Sequence, residues 1–174
     1  FLNESLWGAI TIERFTRNNY NNKDKDLLSL IARAMQTSMS WFIEYQNIYE
    51  DAIRDGLTRL LNHKTFIDRA QEEIERARRF QHQLVFLIYD LDKFKRINDT
   101  LGHPYGDYVI KTTAKIIKDN VRSIDLVARY GGEEFTVVLV NTNKEAATTV
   151  AKRIVQNIQD YNSSMNGEEG DMTI

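Results

Sequence analysis

The sequence predicts an α/β sandwich built on one sheet. Stretches with apolar residues at helical spacing alternate with short apolar runs of strand length. One of those runs, LVFLIYD at 84–90, is apolar at consecutive positions, and two others meet at a glycine pair in LVARYGGEEFTVVLV, 126–140. With 174 residues, 42% of them hydrophobic, the chain can bury a core of one domain plus an appendage.

In chain order, WGAITIE alternates like a strand, and RNNYNNKDKD after it reads as a polar loop. From Leu28, apolar or small residues at 28, 31, 35, 38, 42, 45, 49 and 52 predict a helix with one stripe, weakened at Ser38 and Ala52. That stripe calls for a partner, either a second copy in a coiled coil or a neighbouring domain. Gly56 in DGLTRLLNHKTF breaks the pattern, and Asn62 is placed to cap the next helix, through IDRAQEEIERARRF. The mixed charges from Glu72 to Arg79 read as a solvated face. LVFLIYD reads as a strand covered on both faces. A helical stripe of Val109, Ile110, Thr113, Ile116, Ile117 and Val121 follows from about Gly106, then a hairpin turning at Gly131-Gly132. A last helix carries Ala147, Val150, Ala151, Ile154, Val155 and Ile158 on one face, and DMTI starts another strand. The chain lacks an initial methionine and stops inside a strand-like pattern, which reads as a fragment.

Composition excludes several functions. A net charge of −2 lacks the basic excess of a duplex nucleic-acid binder, but is compatible with a small phosphorylated ligand. The absence of cysteine excludes disulfides, Cys-ligated zinc and thiol catalysis, and fits a reducing compartment. The longest apolar run, LVFLIY at 84–89, is far short of a bilayer span, so no membrane contact is expected.

The chemistry gathers on carboxylates. Asp90 and Asp92 close the 84–90 strand as D-x-D, and strand alternation predicts that they share a face. Mg²⁺ takes one or two carboxylates with substrate phosphates and waters, and Glu133 from the hairpin could complete such a site. Gly131 and Gly132 permit positive φ and close approach of a phosphate or base. Next, KFKRINDTLGHPYGD at 93–107 reads as a polar loop at the carboxyl end of the strand, where α/β proteins bind ligands. Within it an Asp such as Asp107 can accept from the N1–H and amino group of guanine, and an Asn such as Asn98 can pair with its acceptors. Taken singly, each of these residues is equally at home as a turn former or helix cap.

Three motifs in order, DGLTRLLN, DLDKFKRINDTLGHPYGD and RYGGEEF, make residues 55–174 resemble the GGDEF domain of diguanylate cyclases, in its GGEEF form. The resemblance implies a palm-like nucleotide-cyclase fold with a central, mostly antiparallel sheet flanked by helices, preceded by a signalling and dimerisation helix at 24–54. It further implies two Mg²⁺ or Mn²⁺ ions per active site, on Asp90, Glu133 and the carbonyl of Leu91, with Asp92 assisting. Asn98 and Asp107 align with the guanine readers, and the backbone at Phe94 and Lys95 with the part lying against the phosphates. Glu134 falls on the second signature carboxylate, and Gly131 and Gly132 on the substrate-side turn. The implied reaction joins two GTP into cyclic di-GMP with loss of two pyrophosphates, in a cytoplasmic homodimer that brings two sites face to face. Arg122 and Asp125, as R-x-x-D, stand where many members carry an inhibitory product site. Residues 1–23 resemble the end of a GAF sensory domain.

Some positions depart from the family. Arg59 stands where D-x-L-T-G-L usually has glycine, and His63-Lys64 where two arginines are frequent. The Lys and Arg that hold the terminal phosphates in the family are absent from these residues, which implies that this piece alone binds GTP weakly or does not turn it over. Two other readings remain: a catalytically inactive cyclic di-GMP receptor, and a dimerisation module.

Overall fold

Caps and punctuating glycines account for most element boundaries in the structure, a computed structural model that describes residues 21–166 and the side-chain surroundings of residues 21–161. The expected strands at WGAITIE and DMTI, and all but the last residues of the expected GAF-like remnant, lie outside the described residues. The chain divides into two units, residues 1–52 and 53–174.

In the first unit, helix α1 spans Asn22–Ile53. It starts earlier than the Asn-rich sequence suggests because Asn21 and Asp24 cap each other: Asn21 Oδ1 accepts from the Asp24 amide at 3.1 Å, and Asp24 Oδ2 from the Asn21 amide at 2.9 Å. No residue of α1 is buried, and Met35, Phe42 and Tyr45 of its stripe are 49%, 64% and 64% exposed.

The second unit opens with a turn, then α2 (His63–Phe80), β1 (Leu84–Asp90), α3 (Phe94–Leu101), α4 (His103–Asp119), β2 (Leu126–Arg129), β3 (Glu134–Val140) and α5 (Lys144–Asn166). Asn62 caps α2 as expected, accepting from the Thr65 amide at 2.9 Å. The sheet is antiparallel in the order β1-β3-β2. One face carries Val85, Leu87, Tyr89, Val127, Phe135, Val137 and Leu139 into the main core with Val109, Ile110, Ile117 and Ile154 of α4 and α5. The other packs Ala128 and Val138 against Leu61, Phe66 and Ala70.

Three expectations change. β1 is not covered on both faces: Phe86 and Ile88 are 48% and 75% exposed, because α2 packs over β2 rather than over β1 among the described residues. The charged face of α2 is not wholly solvated, since Glu73 is buried beside Arg76. And 93–107 is not a loop: Phe94 and Ile97 give α3 an apolar face toward the core, and Gly102, at φ +83°, separates it from α4.

Arg59 adopts φ +59°, a left-handed conformation in which a side chain is strained, and this explains why glycine suits that position. Arg59→Gly is therefore expected to stabilise the second unit by about 1 kcal/mol. Urea and thermal unfolding check this; an unchanged or lowered midpoint would mean that Arg59 side-chain contacts outweigh the strain.

Candidate active site

The turn between β2 and β3 places the two signature carboxylates differently. Glu134 opens β3 directly opposite Asp90, so these two carboxylates face the same way across the sheet. Glu133 lies in the turn itself, where its carbonyl accepts from the Leu91 amide at 3.3 Å. Neither glycine of the turn has positive φ among the described residues. Gly131 matters instead through space: a Cβ there would stand 2.6 Å from Glu134 Oε2.

A cavity of about 520 Å³ is lined by Phe94, Lys95, Asn98, Asp107, Gly132 and Glu133, with Asp99, His103, Ile110 and Arg129 completing the wall. It thus brings together both expected base readers, the expected phosphate-side backbone and one signature carboxylate. The Lys93 side chain makes no capping hydrogen bond at the N-terminus of α3, and the Phe94 amide donates to Leu91 O at 3.3 Å, so the positive end of that helix is open to an anion at Lys95. The conformation of Asn98 depends on Gly106, because a Cβ at 106 would overlap Asn98 Oδ1 and lie 3.2 Å from Phe94 Cζ. Gly106→Ala is expected to displace the Asn98 amide while leaving the fold intact. A shift of the Asn98 side-chain NMR signals beside an unchanged melting curve checks this; unmoved Asn98 signals would mean that the helix backbone gives way instead.

Asp90, Leu91 and Asp92 line a second cavity, of about 570 Å³, with Lys93, Arg96, Tyr89 and Gln159. Burial pushes the Tyr89 hydroxyl up to about 12, so it is a neutral group, and it has no hydrogen-bond partner among the described residues. β1 ends at Asp90, which places Asp92 in the following turn and outside the strand alternation expected to align the two aspartates. The expected metal ligands at the two cavities, the carboxylates of Asp90, Asp92 and Glu133 and the carbonyl of Leu91, are oxygen donors suited to a hard divalent cation. Among the described residues, no three His, Cys, Asp or Glu side chains are clustered for a metal.

At the opposite end of β3, Arg122 is exposed and Asp125 is buried. Asp125 Oδ2 accepts from the Arg122 amide at 2.8 Å and Oδ1 from the Val140 amide at 3.0 Å, so this carboxylate ties the turn before β2 to the end of β3.

Two residues that sequence reasoning did not assign also shape the hairpin. Arg129 Nε and Nη2 donate to the Gly132 carbonyl at 3.3 and 2.7 Å, and Nη1 to Asp55 Oδ1 and Oδ2 at 3.4 and 3.3 Å. Arg129 was visible beside the Gly-Gly turn, but nothing local marks a partner 74 residues away.

The described residues thus form an α/β domain in which an antiparallel sheet flanked by helices carries an acidic two-glycine hairpin beside an Asn/Asp-lined cavity. Residues 52–174 match the family described as diguanylate cyclase, GGDEF domain, and the chain belongs to that family. It is 42% identical over 108 residues to the probable diguanylate cyclase DgcT of Escherichia coli, covering 62% of this chain and 24% of that protein. To the E. coli diguanylate cyclase DosC it is 34% identical over 160 residues, or 88% of this chain and 35% of DosC. It therefore spans only about a quarter to a third of these curated relatives. Among solved structures it resembles the coiled coil and GGDEF domain of DgcB from Caulobacter crescentus in complex with c-di-GMP, with TM-score 0.70, 28% identity, and coverage of 77% of this chain and 70% of that one. It also resembles the active GGEEF domain of a diguanylate cyclase from Vibrio cholerae, with TM-score 0.57, 34% identity, and coverage of 59% of this chain and 66% of that one.

Proposed function

We propose that the protein is a diguanylate cyclase that condenses two GTP into cyclic di-GMP and two pyrophosphates. The observation that carries this reading is the single cavity that gathers Asn98, Asp107, Phe94, Lys95, Gly132 and Glu133. Membership of the family and the intact GGEEF hairpin support it.

Asp107 accepts from guanine N1–H and the exocyclic amine, and Asn98 pairs with the acceptor side of the base. The positive end of α3 receives phosphate oxygens against the backbone at Phe94 and Lys95, with the Lys95 N–H as donor, since the Phe94 N–H is directed at Leu91 O. Asp90, the carbonyl of Leu91 and Glu133 would hold two Mg²⁺ or Mn²⁺ ions, with Asp92 assisting, and Glu134 faces Asp90 across the sheet. When bound, such ions lower the pKa of an attacking hydroxyl and neutralise charge on the transferring phosphoryl group. In each of two steps a ribose 3′-oxygen loses its proton and bonds to the α-phosphorus of the other nucleotide, and the bond to pyrophosphate breaks in line.

One such cavity holds one GTP, so the ring closes between two copies of the domain. The unburied stripe of α1 supplies the partner surface for a homodimer, under the control of an N-terminal sensory module. Product feedback uses Arg122 as the exposed guanidinium for a phosphate or guanine of cyclic di-GMP, on a turn shaped by Asp125. The reaction belongs to the cytoplasm, where GTP is available; no helix among the described residues is long and apolar enough to cross a membrane.

The test incubates the full-length protein with GTP and Mg²⁺ or Mn²⁺ and quantifies cyclic di-GMP and pyrophosphate by chromatography and mass spectrometry. Two pyrophosphates per cyclic di-GMP are expected. A folded dimer that yields neither with either metal would overturn the cyclase reading and favour a cyclic di-GMP receptor.

A further inference from the structure

Glu133 sits in a turn made flexible by two glycines, yet a metal-ligating carboxylate has to be held to within about 0.5 Å. Both peptide units that flank it are held. The carbonyl of the unit ending at its amide, Gly132 O, accepts two N–H groups from Arg129. The carbonyl of the next unit, Glu133 O, accepts from the amide of Leu91, the residue after Asp90. The turn is closed behind it by the Tyr130 and Gly131 amides, which donate to Glu134 O at 2.8 and 3.3 Å.

Arg129 is in turn anchored from outside the hairpin. Asp55 takes its Nη1, while the Asp55 carboxylate also accepts from the Thr58 amide at 2.8 Å and hydroxyl at 2.7 Å. The Asp55 amide donates to Leu60 O at 2.8 Å, and Leu60 is a core residue. Side-chain exposures of 18% and 23% for Arg129 and Asp55 set the ion pair apart from an ordinary surface pair. Burial alone would raise the Asp55 carboxyl; the Thr58 hydroxyl and amide and the Arg129 guanidinium outweigh it and hold the group below the usual carboxylate range. It is therefore charged at neutral pH.

Arg129 borders the cavity, but its Nε and Nη2 are engaged by Gly132 and its Nη1 by Asp55. We propose that Arg129 is a positioning residue for Glu133: its guanidinium clamps the Gly132 carbonyl to the Asp55 turn and so fixes the carboxylate in the hairpin without touching substrate. The proposal rests on the cyclase reading and adds a residue that this reading does not use.

The test compares the full-length protein with Arg129→Gln, Arg129→Lys and Asp55→Asn. It measures kcat, KM for GTP and half-saturating Mg²⁺, and also hydrogen exchange of the 130–135 backbone amides, which needs no activity. Arg129→Gln is expected to lower kcat about 30-fold with KM within about threefold, as misplacement of a reacting-site group does. It is also expected to raise half-saturating Mg²⁺ about tenfold and speed exchange at 130–135 about tenfold. Arg129→Lys, which keeps the charge but not the fork, and Asp55→Asn, which keeps the grip on Gly132 but weakens its anchor, should fall between. A rise in KM with kcat held would make Arg129 a substrate contact and overturn the proposal. Exchange that quickens across the whole second unit, or stays unchanged at 130–135, would overturn it as well. If the wild type makes no cyclic di-GMP, the cyclase reading fails, and the exchange comparison still decides whether the clamp exists.

Discussion

Glu133→Gln should abolish cyclic di-GMP synthesis, lowering kcat by about a thousandfold or more, the scale on which loss of charge stabilisation acts at a phosphoryl-transfer centre. The substitution keeps the shape of the side chain and removes its charge, and a neutral amide is a poor ligand for a hard divalent cation. The backbone of the turn is held by Arg129 and by the Leu91 amide through the carbonyls of Gly132 and Glu133, which the substitution keeps, so folding should be unaffected. Product chromatography beside a melting curve checks both halves of this expectation. A variant retaining a tenth of wild-type turnover would remove Glu133 from the metal site and shift attention to Glu134, the carboxylate directly opposite Asp90.

Asp107→Asn should cost about a hundredfold in kcat/KM for GTP, because a site built to pair a donor edge then presents an amide donor of its own. The same variant should lose the preference for GTP over ITP, since inosine lacks the exocyclic amine that the carboxylate accepts. The two nucleotides isolate base reading from the phosphate binding proposed at the α3 N-terminus, which borders the same cavity. Equal losses on GTP and ITP would assign Asp107 a structural task in α4.

Much of this architecture was legible in local signals. Asn62 announced its helix because an Asx side chain satisfies amides three residues on, and the hairpin announced itself because two apolar runs flank Gly131-Gly132. The stripes of α4 and α5 were legible because one core fills one face of each helix: Val109, Ile110, Ile117 and Ile154 are all buried. The segment 93–107 misled because its Gly, Pro, Asn and Asp residues are turn formers. Only Phe94 and Ile97, packed against the core, outweigh that local preference and make α3 a helix. The consecutive apolar run of β1 likewise suggested cover on both faces, whereas Phe86 and Ile88 lie on the face that α2 packs against but over β1, which α2 leaves uncovered among the described residues.

The sequence by itself determined the fold class and the position of the acidic turn, because periodicity, capping and turn chemistry act over a few residues and leave their signature there. Tertiary structure alone decided that Asn98 and Asp107 share a cavity with Glu133 while Asp90 lines another, and that Arg129 reaches Asp55 across 74 residues of chain. Those relations depend on sheet register and on which helix covers which strand, and no local residue pattern encodes them.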